Sequence, residues 1–163
     1  MEKFGSGAQF EIVMILFLFL GIITASGALV LEIFFLESGS FFSSPIVHDL
    51  SLMFFIAPLT EEALKISVLA KKLLLEKMPK NIALRALLFG AGFFLIELAL
   101  NLWQNNNALW PLFGILLVHT ATSVLAGLFL SKKTGLSYFF LLKLIALNFF
   151  LHVFYNLAAM YCF

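Results

Sequence analysis

Residues able to do acid–base chemistry stand inside long apolar runs of this chain. The segment Pro58-Leu59-Thr60-Glu61-Glu62-Ala63-Leu64-Lys65 sets two adjacent carboxylates within one helical turn of an ammonium. Glu97 with Asn101, then His119, then Asn148, His152 and Asn156 follow in three later apolar runs. Carboxylates, imidazoles and amides together supply a base that activates water and donors that hold a developing oxyanion. These are the needs of hydrolysis without a side-chain nucleophile. The same groups also ligate zinc, relay protons or tie helices together, so residue types alone leave the chemistry open. An ionisable group at membrane depth costs at least a few kcal/mol, and it persists only with a partner, a water cavity or a task.

The elements that position these groups follow from composition. With 63% hydrophobic residues, 12% charged residues and 21 Phe in 163 positions, the chain is too apolar for a soluble domain. It reads as an all-α integral membrane protein with a bilayer as its environment. A net charge of +1 without a basic stripe argues against nucleic acid as a partner. The single cysteine, Cys162, excludes an internal disulfide and a thiolate metal cage. Five spans are expected, near 12–31, 47–70, 84–103, 109–130 and 137–161, each long enough to cross about 30 Å of hydrocarbon. They are expected to be helices, since a helix satisfies its own backbone in lipid and the alternation of a barrel strand is missing. The first run is longer than the roughly 7–15 apolar residues of a signal core, so it is expected to remain as a span. No internal repeat or separate soluble domain is visible, and residues 1–163 read as one domain.

Connections between the runs predict orientation. Lys71, Lys72, Lys77, Lys80 and Arg85 follow the second run, and Lys132 and Lys133 follow the fourth. The stretches Glu37 to Pro45 and Gln104 to Ala108 hold no Lys or Arg. The positive-inside rule then puts the amino terminus, with Lys3, in the cytoplasm and the carboxyl terminus outside. Trp103 and Trp110 flank the Gln104-Asn105-Asn106-Asn107 turn as interfacial anchors. Lys143 is expected to reach toward the cytoplasmic face.

On these limits Glu61, Glu62, Glu97, His119 and His152 fall within about 5 Å of the mid-membrane plane. Groups at one depth face one another or face lipid, and the energetics disfavour lipid. A shared central cavity is therefore expected. Lys65 is the i,i+4 neighbour of Glu61 and the i,i+3 neighbour of Glu62, so one ammonium reaches either carboxylate. Asn148, His152 and Asn156 draw one polar stripe at i, i+4 and i+8, and His119 shares a face with Ser123 and Gly127. Pro58 removes a backbone N–H before the double glutamate and is expected to loosen or kink its helix. Gly90-Ala91-Gly92 reads as helix packing rather than phosphate binding, because no strand precedes it.

The segment Ala57 to Lys65 resembles the first motif of the PrsW-type intramembrane proteases, and Phe89-Gly90-Ala91-Gly92-Phe93-Phe94-Leu95-Ile96-Glu97 resembles the second. His119 and the stretch His152-Val153-Phe154-Tyr155-Asn156 are similar to the other two, in order, from residue 57 to 156. These proteases are related to the CAAX-processing and bacteriocin-processing membrane enzymes. Two positions depart from the pattern. Leu98 stands where the family has Asn after its second glutamate, which leaves that amide absent or supplied by Asn101. Lys65 follows Glu62 at three residues, where the CAAX-processing relatives place Arg at four, which favours the PrsW branch.

The resemblance implies a glutamic endopeptidase without a cofactor, acting on a membrane protein or lipidated peptide, and a prokaryotic cell membrane is the expected location. It makes Glu61 the base and Glu62 its structural or electrostatic partner. His119 positions the water, His152 and Asn156 polarise the carbonyl, and Lys65 and Glu97 support them. Plainer readings stand beside this: a structural ion pair for Glu61, Glu62 and Lys65, interhelical hydrogen bonds for His152 and Asn156, and a packed His119. A zinc protease would use Glu61, Glu97, His119 and His152, although the His-Glu-x-x-His helix is missing. A proton-coupled transporter or a peptide-binding membrane scaffold would also use buried acids and imidazoles, although no repeated halves are evident.

Overall fold

The computed structural model describes residues 6–39, 49–75, 81–103, 109–132 and 137–162. The expectations placed on Lys3, Ser40 to Pro45, Lys77, Lys80, Gln104 to Ala108 and Lys133, and on the side chains of Trp110 and Cys162, lie outside what it describes. All five described elements are helices: α1 Ser6–Gly39, α2 Asp49–Leu75, α3 Ile82–Trp103, α4 Leu109–Ser131 and α5 Tyr138–Cys162. Four of them, α1, α3, α4 and α5, are long and apolar enough to cross a membrane. The protein is an all-helical integral membrane protein. Helix α2 is long enough at 27 residues but falls short on apolarity, because Glu61, Glu62 and Lys65 fall near its middle.

Helix α1 is the one element that departs clearly from its expected bounds. It holds 34 residues, about 50 Å of helix, and runs well past Leu31 to Gly39. Its ordered length exceeds its most greasy stretch, since helix formation continues once the backbone is already helical. Pro58 does not break α2, which runs unbroken from Asp49 to Leu75 around the buried proline. Only one backbone donor is lost there, and the packed neighbours hold the helix together. Ser137 starts α5 as a cap, its Oγ accepting from the N–H of Phe140 at 3.2 Å.

Helix α1 packs along α3, α3 along α4, and α4 along α5, while α2 touches α1, α4 and α5. Two glycine contacts explain how closely α3 approaches its neighbours. A Cβ on Gly21 would land on the carbonyl oxygen of Phe89, and a Cβ on Gly92 would land on that of Leu18, so α1 and α3 touch backbone to backbone. A Cβ on Gly90 would lie 2.5 Å from the carbonyl oxygen of His119, which brings α4 against α3 at the level of that histidine. Gly90 and Gly92 are thus packing residues in the structure.

The distribution of polarity is inverted relative to a soluble protein. Large apolar side chains such as Ile23, Val30, Phe113, Phe150 and Phe154 point outward, whereas Glu62, Lys65, His119, Thr122 and Asn148 are almost wholly buried. Only lipid makes that arrangement favourable, since apolar surface facing acyl chains costs nothing and the buried polar groups meet one another inside. An apolar plug of Phe17, Ile66, Leu69, Phe89, Ala126 and Leu144 fills the bundle on one side of this polar layer. It lies toward the end where α2 finishes and α3 begins. Lys143 is exposed on α5, with its Nζ 4.4 Å from the centre of the Phe139 ring.

Candidate functional site

Successive residues of a helix point about 100° apart, so the two adjacent glutamates of α2 cannot share one environment. Glu62 turns toward α4 and α5 and is fully buried. Its Oε1 pairs directly with Nζ of Lys65, accepts a hydrogen bond from Oγ1 of Thr122 at 3.3 Å, and lies 3.1 Å from Nδ1 of His152. Glu61 turns toward α1 and α3. Its Oε2 lies 3.7 Å from Nδ1 of His152 and 3.9 Å from Nδ1 of His119, outside hydrogen-bonding range, and has no protein partner. One carboxylate is thus tied down through Oε1 by three donors, with its Oε2 left unpartnered, while its neighbour makes no hydrogen bond at all among the described residues.

Lys65 is the hub of the layer. Its ammonium meets Glu62, reaches Nδ1 of His119 at 3.0 Å and Oγ1 of Thr122 at 3.3 Å, and lies 4.7 Å from the centre of the Phe93 ring. An ammonium only donates, so Nδ1 of His119 accepts from it, and the ring proton must then sit on Nε2. That nitrogen is 2.5 Å from Oε1 of Glu97, in the geometry of a charge-assisted hydrogen bond. The His119 ring is packed by Phe93, with centroids 4.8 Å apart, and meets the His152 ring edge to face at 5.1 Å.

The structure brings together six of the residues singled out in sequence: Glu61, Glu62, Lys65, Glu97, His119 and His152. Asn156 is half-buried one turn beyond His152 and makes no hydrogen bond among the described residues. Asn101 does not replace the missing amide after Glu97: its Nδ2 donates back to the Glu97 carbonyl of its own helix at 2.9 Å. With both ring nitrogens engaged, His119 has none left to hold a water. Its position links Lys65 to Glu97 instead.

Three further residues belong to the site. Thr122, on the next turn of α4 after His119, bridges Lys65 and Glu62. Asn148, fully buried, donates from Nδ2 to the Thr122 carbonyl at 3.1 Å and leaves Oδ1 without a protein partner. Glu32 of α1 lines, with Glu61 and Glu97, a small cavity of about 30 Å³ between α1, α2 and α3. The polar stripe on α5 pointed to Asn148. No spacing signal marked Thr122, and Glu32 was missed because the first apolar run was closed at Leu31.

As chemistry, the arrangement is a carboxylate with a free oxygen, two imidazoles beside it, and a buried ammonium whose charge is already matched by another carboxylate. Glu61, His119 and His152 also bring one ligand atom each within 4.8 Å of one another, close enough to share a metal ion. The donor set fits such an ion poorly, because the nitrogen of His119 nearest Glu61 lies 3.0 Å from the Lys65 ammonium. A cation bound there would face that charge at close range. Compared with protein-family models, with curated proteins and with solved structures, the chain matches none of them.

Proposed function

We propose that this protein is an intramembrane endopeptidase of the PrsW-like glutamic type, hydrolysing a peptide bond of a membrane protein or lipidated peptide. The observation that carries the reading is the division between the two glutamates: Glu62 is fully buried and held through Oε1 by Lys65, Thr122 and His152, while Glu61 makes no hydrogen bond among the described residues, has two imidazoles 3.7 and 3.9 Å from its Oε2, and lines a cavity. A general base needs an uncommitted carboxylate beside space for water, whereas a purely structural ion pair does not.

In this mechanism Glu61 takes a proton from water as the water oxygen bonds to the scissile carbonyl carbon. The carbonyl electrons move to oxygen, and the oxyanion is met by donors already in place. His152 in its protonated form stays held to Glu62 through Nδ1 and offers Nε2–H to that oxygen. Asn156, one turn further toward the open side, offers its amide. Collapse of the tetrahedral intermediate breaks the C–N bond, and Glu61 passes its proton to the leaving amine. Lys65, His119 and Glu97 fix the geometry of the pair without touching the reacting atoms.

The reading includes a fifth span. Helix α2 crosses the bilayer with its charges turned inward, in a five-span bundle with the amino terminus inside and the carboxyl terminus outside, as the Lys and Arg distribution supports. The expected setting is a prokaryotic cell membrane. The experiment compares membrane-protein fragments released by the wild type and by Glu61→Gln or His152→Ala in a host lacking its own copy. Fragments made by the wild type and absent in both folded variants support the assignment. Wild-type cleavage by either variant overturns it.

A zinc-dependent reading of the same reaction has one observation in its favour, the approach of Glu61, His119 and His152. Cleavage that is lost on chelation and regained with zinc would replace the glutamic mechanism with it.

A further inference from the structure

We infer that the cavity between α1, α2 and α3 is the water vestibule of the site, and that Glu32 is the positioning residue that keeps it wet. The kinetic part of this inference rests on the hydrolytic reading above, while the vestibule itself does not.

Water cannot reach Glu61 from the side of the apolar plug, where Phe17, Phe89 and Leu144 close the bundle. On the other side the packing opens. Ala25 and Ala28 of α1 present little more than methyl groups, which leaves about 30 Å³ of room rimmed by Glu32, Glu61, Phe93 and Glu97. A water needs roughly 10–15 Å³ of such space together with polar partners, so one or two waters fit. Glu61 lines this space and keeps 12% of its side chain exposed, so its carboxylate group is one of the polar partners that such a water needs.

Glu32 connects this space with the outside. It lies seven residues before the end of α1 at Gly39, about 10 Å along the helix, and is half-buried. Glu97 lies at a similar distance from the end of α3 at Trp103, so both acids mark the same end of the bundle. A carboxylate facing acyl chains at this depth costs a few kcal/mol, whereas one facing a hydrated cavity does not. Glu32 belongs to none of the four motif segments, and nothing in the catalytic geometry above requires its charge. Its polar surface is what the vestibule uses.

The test places neighbouring cysteines on α1 in a Cys162→Ser background. Leu29 lines the cavity, whereas Val30, at the same depth, is 65% exposed on the outer surface. A charged, water-soluble methanethiosulfonate, added to both faces of proteoliposomes, reacts with thiolate and therefore needs water. Leu29→Cys is expected to react about tenfold faster or more than Val30→Cys, because only the wet thiol ionises. Adding Glu32→Leu brings the Leu29→Cys rate down to that of Val30→Cys, and Glu32→Gln restores it. Equal rates at the two cysteines, or a rate unmoved by Glu32→Leu, overturn the vestibule. In cleavage assays Glu32→Leu lowers kcat at little changed KM, and Glu32→Gln recovers most of the loss. If Glu32→Gln is as slow as Glu32→Leu while labelling persists, Glu32 acts by its charge and the wetting role is wrong. Labelling as expected with no substrate cut by the wild type retains the vestibule and removes the protease reading. Cleavage with equal labelling does the reverse.

Discussion

Replacing each member of the glutamate pair by glutamine separates stability from chemistry. Glu62→Gln keeps the shape of the side chain but removes the anion that faces Lys65, whose side chain is 1% exposed. Removing one partner of a buried ion pair typically costs about 3–5 kcal/mol, because the other charge is left uncompensated. For a chain of this size each kcal/mol moves the unfolding midpoint by about 2–4 °C, so a fall of about 6–20 °C is expected. Glu61→Gln loses no hydrogen bond at Oε2, and its stability should stay within about 1 kcal/mol of the wild type. Its rate should fall by about 10²–10⁴, the usual contribution of a positioned general base. The assay pairs thermal unfolding in detergent, followed by fluorescence and size exclusion, with cleavage in proteoliposomes. The reasoning is refuted if Glu61→Gln loses as much thermal stability as Glu62→Gln, or if Glu62→Gln unfolds at the wild-type temperature.

Gly90→Ala sets a methyl group 2.5 Å from the His119 carbonyl oxygen and 2.8 Å from Cα of Thr120, both backbone atoms that cannot rotate away. The overpacking should cost about 1–3 kcal/mol, and the roughly 1 Å retreat of α4 should slow cleavage about a hundredfold, read from unfolding and rate together. Chelation followed by added zinc should leave the rate where it began, since the Lys65 ammonium is beside the nitrogen that a metal would need; a zinc-restored activity counts against the glutamic mechanism. Helix α2 by itself should fail to integrate. Its three central charges cost about 2.5–3.5 kcal/mol each, which its Leu, Ile, Phe and Val residues offset only in part. A glycosylation reporter on residues 49–75 alone and on the full chain measures this, and efficient insertion of the isolated segment would contradict it.

Much of the helical architecture was legible because lipid imposes a simple rule on sequence. Apolar runs of about 20 residues must become helices, and α3, α4 and α5 end within a few residues of where those runs end. The meeting of Glu61, Glu97, His119 and His152 was legible for the same reason, since groups at one depth that avoid lipid have only one another to face. What failed was anything that needed rotation or reach. Spacing made Lys65 an equal neighbour of both glutamates, and only the packing of α2 against α4 and α5 selects Glu62. Asn101 stands at the right spacing from Glu97 but turns back to its own helix, a local bond that spacing does not exclude. Thr122 carries no periodic signature, because a helical threonine ordinarily bonds its own backbone, as Thr120 does here. Glu32 was lost to a boundary drawn from hydropathy, which stops at the first acid although the helix does not.

The pairing of two glutamates in sequence has a structural logic that neither residue has alone. A single buried glutamate beside Lys65 would be neutralised and spent on holding α2 to its neighbours. A single free glutamate would bring an uncompensated charge into the bundle, at a cost that no nearby cation relieves. Two in succession, offset by about 100°, divide these tasks: Glu62 pairs with the ammonium and anchors His152, and Glu61 meets the same histidine at 3.7 Å without a hydrogen bond. The lysine that neutralises the first thereby lies close enough to moderate the charge of the second. Exchanging the roles would require turning α2 by a residue, which would carry Glu62 and Lys65 away from Thr122 and His152. The order in which the two carboxylates face their neighbours is therefore set by the packing of α2 against α1, α4 and α5.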